Sequence, residues 1–376
     1  MIDPAQFVDD LVGAGVTLYT GVPDSLLKAF GTHVMATVPR DQHVIAANEG
    51  GAVAIALGHH LRTGELALVY LQNSGFGNLV NPLLSLADPG VYGVPMLVLV
   101  GWRGQPGVKD EPQHVTQGRV MTDLLDAMGL PWAVLPAEEH AASAAVAVAA
   151  QIATERSTPY LLLVEKDTFA AAEVGRAASA VAVDLASREE ALVATVEALG
   201  DDVIIVSTTG MLSRELFEYR ERSGSDGRRD FLTVGGMGHA SAIALGIALR
   251  EPDREVWCLD GDGALLMHLG GLAVIADHAP ARYHHVMFNN GVHDSVGGQP
   301  TSITRVDVAA AALALGYRAA ATTDDLSALP GLLADHRERG GPSLIDLRVR
   351  PGNRDGIGRP TRTPVQSKQV FMSALR

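Results

Sequence analysis

Two short strand-like runs, Val256 to Leu259 and His284 to Phe288, bracket a helical stretch. Nothing else in the chain constrains the fold as much. Runs without polar alternation are the mark of strands buried on both faces, and two of them joined through a helix form a parallel crossover unit. The first run leads into Asp260-Gly261-Asp262-Gly263 and the second ends in Asn289-Asn290. Both polar clusters therefore fall at the carboxyl edge of the sheet, where open α/β sheets bind ligands. The flanking glycines let backbone approach a ligand closely. One carboxylate, one amide oxygen and a main-chain carbonyl from the loop after Asn290 make an oxygen-only, incomplete shell. That suits Mg²⁺, which fills its octahedron with water or phosphate oxygens.

The same alternation recurs along the chain. Val16 to Val22 ends in Gly21-Val22-Pro23-Asp24-Ser25, where Asp24 or Ser25 can serve as a helix N-cap, and Val44 to Ala47 ends in Asn48-Glu49-Gly50-Gly51. Leu66 to Leu71 leads into Gln72-Asn73-Ser74-Gly75-Phe76-Gly77-Asn78, and Pro95 to Gly101 opens a polar loop running to His114. After Tyr160 to Glu165 the pattern fades and then restarts, with Phe231 to Val234 leading into Gly235-Gly236-Met237-Gly238-His239. The expected fold class is α/β, with two doubly wound parallel-sheet domains at residues 1–166 and 185–376 joined by a linker at 167–184. The 376 residues are enough for two cores, and 47% hydrophobic residues against 19% charged describe a well-cored globular protein. A net charge of −14 argues against nucleic acid or an anionic membrane as a partner, so an anionic substrate would need local cations. The single cysteine, Cys258, reads as core packing, and a cytoplasmic location is expected because no leader or membrane-length apolar run is visible.

The Gly-Asp-Gly…Asn-Asn arrangement, with Asp262 and Asn290 28 positions apart, resembles the diphosphate-anchoring motif of thiamine-diphosphate enzymes. Glu49 strengthens the resemblance, because that cofactor is activated by a buried carboxylate that keeps a proton on its pyrimidine nitrogen. Desolvation in a Gly-lined site raises such a carboxylate's pKa. The segments Gly21 to Lys28, Asn48-Glu49-Gly50, Gln72 to Asn78, Gly101 to Gly104, Lys109 to His114, Gly235 to Ala240 and Asn289 to Gln299 are similar to the phosphonopyruvate decarboxylase family. The third, central domain of larger relatives has no room here, which is itself typical of the phosphonopyruvate and sulfopyruvate enzymes.

The resemblance implies the thiamine-diphosphate-binding fold in both domains and a carboxy-lyase of phosphonate biosynthesis. It would convert 3-phosphonopyruvate to phosphonoacetaldehyde and CO₂ with thiamine diphosphate and Mg²⁺; a sulfopyruvate decarboxylase or a related carboligase are the alternatives. It also implies roles. Glu49 would activate the cofactor, with Asp24 and His114 as proton-transfer groups. Asp262, Asn290 and the Val292 carbonyl would hold Mg²⁺, and Gln72, Ser74, Gly235, Met237, Gly261 and Gly263 would contact the cofactor. Sites would lie between subunits of a homo-oligomer. For the anionic 2-oxo acid, Arg103 or Lys109 in a flexible loop, with Ser25 or Gln299, are the candidate phosphonate ligands. Gly236-Met237-Gly238-His239-Ala240-Ser241 imitates a dinucleotide fingerprint without its last glycine. The pairs His59-His60 and His284-His285 face opposite ways and read as poor metal sites.

Overall fold

The alternating pattern resolves into two parallel sheets in a computed structural model that describes residues 1–172 and 184–376. These residues divide into two compact units, and the division falls outside the described residues.

In the first unit the strands are β1 (Val16–Gly21), β2 (His43–Ile45), β3 (Leu66–Gln72), β4 (Met96–Gly101), β5 (Trp132–Val134) and β6 (Pro159–Val164). They form one sheet in the order β2-β1-β3-β4-β6-β5, every pair parallel. Successive residues of β3 feed opposite faces. Leu66, Leu68 and Tyr70 join a core with Phe7 and Phe30, while Ala67, Val69 and Leu71 join another with Val53 and Leu79. That two-sided burial is why β4, and β3 up to its last residue, lack polar alternation.

In the second unit the strands are β7 (Ile204–Ser207), β8 (Asp230–Leu232), β9 (Val256–Gly261) and β10 (Tyr283–Asn289). A small antiparallel ribbon follows, β11 (Val292–His293) with β12 (Gln299–Pro300), and β13 (Ala319–Thr323) and β14 (Ser343–Arg348) complete the sheet. The sheet order read from the β8 edge is β8-β7-β9-β10-β14-β13, which repeats the order of the first sheet element for element. In each sheet the chain leaves the first strand to one side and then returns to the other. The crevices between β1 and β3 and between β7 and β9 are therefore the topological switch points, where carboxyl-edge loops part and ligands bind.

Most of the expected linker lies outside the described residues, but its first part is built into the first unit. Phe169 stacks on Phe30 at 5.9 Å and packs edge-on to Phe7 at 5.2 Å, and Ile2 exchanges backbone hydrogen bonds with Thr168 and Ala170. An aromatic side chain that fills a core gap outweighs the polar residues around it. In the second unit Arg220 is buried and paired with Asp230 and Asp201. No helix among the described residues is long and apolar enough to cross a membrane.

Candidate active site

The first unit gathers its polar groups at the β1–β3 switch point. Beyond Gly21 the chain turns at Asp24, whose Oδ2 accepts the backbone N–H groups of Leu26 (2.9 Å) and Leu27 (3.2 Å). Asp24 is thus a local cap, but its Oδ1 also accepts from Gln72 Nε2 at 2.6 Å, and Gln72 Oε1 accepts from Ser74 Oγ at 2.7 Å. Asp24 is only 2% exposed, and burial pushes its carboxyl up against these hydrogen bonds and the Arg103 charge. Gly101, at the end of β4, makes room for it: a Cβ there would lie 2.1 Å from Asp24 Oδ2.

Glu49 opens the helix Glu49–Thr63, which Asn48 caps by accepting Gly51 N–H at 2.8 Å. The helix terminus would favour a charged Glu49, yet burial dominates and pushes its carboxyl up. Its Oε2 accepts from Asn78 Nδ2 at 2.7 Å. Gly75 is required beside it, since a Cβ there would fall 1.9 Å from Glu49 Oε1.

Arg103 follows β4. Its Nε and Nη2 fork onto Asp110, and its Nη1 donates to Ser25 Oγ at 3.0 Å. Its backbone is clamped to Asn73 by two hydrogen bonds, of 2.7 and 3.1 Å. Trp102 Nε1 donates to Gly118 O at 2.8 Å. Gly104, at φ +68°, and Gly118 let the loop press on the following helix, where no Cβ would fit. The flexible basic flap expected from sequence is therefore a tied-down base, because glycine contacts and an Arg–Asp fork hold it. Burial raises the Asp110 carboxyl, but the Arg103 bonds and the N–H groups of Glu111 and Gly104 outweigh it and hold it well below the usual range. Lys109 is exposed on the rim. His114 is buried in the first turn of the helix Pro112–Ala127 with Nδ1 unpartnered, and burial and the Arg103 charge together lower its pKa.

The second unit gathers its polar groups at the ends of β8, β9 and β10. Asp262 begins a helix directly after β9, is 3% exposed, and accepts from Thr301 Oγ1 at 2.5 Å. Burial raises its pKa to about 6. Among the described residues no Lys or Arg forms an ion pair with it, and a buried carboxylate in such a setting suits a divalent cation. Asn290 Nδ2 donates to Asp294 Oδ2 at 2.8 Å, and its Oδ1 accepts from Val292 N at 3.1 Å. An amide oxygen carries two lone pairs, so one remains for a ligand. Asp294 Oδ2 also accepts from Gly352 N (2.9 Å) and Arg188 Nη1 (3.4 Å), and Arg188 is forked onto buried Glu215 at 2.8 and 2.9 Å. The β11–β12 ribbon closes this loop, with Thr301 N donating to Gly291 O at 2.9 Å. Met237 and His293 converge on Gly263, where a Cβ would meet the His293 ring at 2.9 Å and Met237 Cε at 3.3 Å. Gly235 begins the turn after β8, and Gln299 is buried under Gly297 with Oε1 unpartnered.

Both halves match known sequence families. Residues 5–130 match the profile of the thiamine pyrophosphate enzyme N-terminal TPP binding domain, and residues 208–347 that of the C-terminal TPP binding domain. The chain is 39% identical to the phosphonopyruvate decarboxylase of Streptomyces viridochromogenes, over 99% of this chain and 94% of that one. The chain belongs to the phosphonopyruvate decarboxylase family. It is also 38% identical to the Streptomyces hygroscopicus phosphonopyruvate decarboxylase, over 99% of this chain and 93% of that one. Identity to the sulfopyruvate decarboxylase of Methanosarcina acetivorans is 26%, over 93% of this chain and 96% of that one. As a member of this family the chain is a thiamine-diphosphate-dependent decarboxylase.

Sequence reasoning missed the groups that orient the named ones: Asn78 on Glu49, Asp110 on Arg103, Thr301 on Asp262, and Asp294 with Arg188 on Asn290. Asn78 and Asp110 lie inside the motifs that carry the family resemblance. Arg188 lies 106 residues from Asp294, and no local pattern announces it.

Proposed function

We propose that this chain decarboxylates 3-phosphonopyruvate to phosphonoacetaldehyde and CO₂, using thiamine diphosphate and Mg²⁺, as a cytoplasmic homo-oligomer of phosphonate biosynthesis. The observation that carries the substrate is the 38–39% identity to two phosphonopyruvate decarboxylases along nearly the whole chain. Thiamine diphosphate, when bound, supplies the electron sink that accepts the pair left as CO₂ departs.

The chain's own residues do the rest. Glu49, buried and with its pKa raised, holds a proton at the pyrimidine nitrogen, and Asn78 fixes its rotamer. Asp262, Asn290 and the Val292 carbonyl would hold Mg²⁺ for the cofactor's diphosphate, and Met237, which converges on Gly263, would contact the cofactor. Asp24 and His114, both bordering Arg103, stand as the proton-transfer groups. Arg103 keeps donors beyond the Asp110 fork, and with Ser25 it forms a preorganised pair for the phosphonate, while Lys109 acts at the rim. Leaving the substrate carboxylate in a less charged setting favours catalysis, since tight pairing would stabilise the ground state more than the transition state.

The test incubates purified protein with thiamine diphosphate, Mg²⁺ and, in turn, phosphonopyruvate, sulfopyruvate and pyruvate, following CO₂ and aldehyde. Phosphonopyruvate should be the best substrate. A sulfopyruvate preference would favour the second reading, which rests on the Methanosarcina relative. Arg103→Ala should lose phosphonopyruvate turnover by a larger factor than pyruvate turnover, and equal losses would remove it from phosphonate recognition. For the oligomer, mixing Glu49→Gln with Asp262→Ala subunits should restore activity if each site draws on two chains.

A further inference from the structure

The strand that delivers Asp262 carries a second set of metal-type donors within its length. Cys258 and Asp260 are two apart on β9 and so share a face, and His285 on β10 lies directly beside Cys258 in the register. One ligand atom from each, a sulfur, a carboxylate oxygen and an imidazole nitrogen, lie within 4.8 Å of one another. All three residues are sealed from solvent, at 0%, 1% and 0% exposure.

The cluster is not satisfied by its own hydrogen bonds. Both ring nitrogens of His285 and Oδ2 of Asp260 are buried without a partner. The His285 Nε2 to Asp260 Oδ2 distance is 3.6 Å, too long for a hydrogen bond. It is the separation expected of two donors on one ion, since ligands at about 2.0–2.3 Å from a tetrahedral centre sit roughly 3.3–3.8 Å apart. Buried polar atoms left without partners in an apolar core are rare and call for a ligand. Tyr283 reaches the Cys258 sulfur, and the Tyr317 hydroxyl lies near both.

We propose that Cys258, Asp260 and His285 form a binding site for a divalent ion of the zinc class. A thiolate and an imidazole select a borderline metal, whereas the oxygen-only shell around Asp262 selects Mg²⁺. The ion would bridge β9 and β10 two residues before Asp262 and five before Asn290, holding together the two strand ends that present the diphosphate-side ligands. His284, by contrast, faces the other way, stacks on Trp257 at 4.4 Å and bonds Ser343 at 2.7 Å. Only one member of the adjacent pair, His285, meets donors on the next strand.

The chain has a single cysteine, so any metal–sulfur signal must come from Cys258. The experiment titrates Co²⁺ into metal-stripped, tag-free protein. The expected result is an intense near-ultraviolet sulfur-to-cobalt band with tetrahedral visible bands, saturating at a single equivalent per chain and displaced by Zn²⁺. Asp262→Ala should keep the band, because it removes only the oxygen-only site. Cys258→Ser should abolish it, and His285→Gln and Asp260→Asn should weaken or shift it, with circular dichroism reporting folding. If a variant does not fold, the parent's own spectrum still decides. A folded parent with no sulfur-to-cobalt band overturns the proposal. So does a band unchanged in both His285→Gln and Asp260→Asn, which would reduce the site to a lone thiol.

Discussion

Removing Asp294 should weaken Mg²⁺ binding without touching a metal ligand. In Asp294→Ala, Asn290 Nδ2 loses its acceptor at 2.8 Å, Gly352 N–H loses one at 2.9 Å and Arg188 loses its longer contact at 3.4 Å. Arg188 keeps its fork onto Glu215, so no buried charge is left unpaired. The cost is therefore that of hydrogen bonds to a charged acceptor, about 1.5–3 kcal/mol each, and only the Asn290 bond bears on the metal. Freed of it, the Asn290 amide keeps only the Val292 N–H bond to set its orientation, and losing such an outer support typically costs about 10–100-fold in metal affinity. The assay is Mg²⁺ titration of thiamine diphosphate binding by calorimetry, with thermal melts run alongside. Asp294→Asn, whose own amide oxygen can still accept from Asn290, should recover much of the loss. An unchanged Mg²⁺ midpoint in folded Asp294→Ala would refute the orienting role.

Glu49→Gln should still bind cofactor but slow proton–deuterium exchange at the thiazolium carbon by about two to four powers of ten, and parental exchange would remove Glu49 from activation. Arg188→Met leaves Glu215, 1% exposed, as an uncompensated buried charge and should destabilise by about 3–5 kcal/mol; adding Glu215→Leu should restore most of it, as denaturant melts would show. His43 and His284 are held neutral by burial, each lowered from 6.5 to about 4. Between those values the unfolded chain binds more protons, so their contribution is complete above pH 6.5 and is lost as pH falls. From pH 6.5 to 5 each should cost up to about 2 kcal/mol, and His43→Gln should flatten part of that pH dependence in denaturant midpoints.

The sequence by itself determined the α/β class and carried the motifs of the thiamine-diphosphate family. Strands without polar alternation, such as residues 66–71 and 96–101, fit only a sheet covered on both faces. Chemistry that needs a carboxylate at a strand end, as at Glu49 and Asp262, leaves a contiguous trace because one turn sets it. Tertiary structure decided what depends on distance between strands. That two sheets share one strand order is invisible in the residues, since order is fixed by crossovers and not by local propensity. Phe169 looked like linker because its partners, Phe7 and Phe30, are far away in sequence. The groups that aim the functional side chains are distant for the same reason: Arg103 meets Ser25 across 78 positions and Arg188 meets Asp294 across 106. So too with Cys258, which read as core packing, Asp260, which read as part of the strand-end cluster, and His285, which read as a poor metal ligand: they become a set of donors only when the β9–β10 register places them side by side. Local sequence fixes what a side chain can do; hydrogen-bond register and packing between distant segments fix what it does it with.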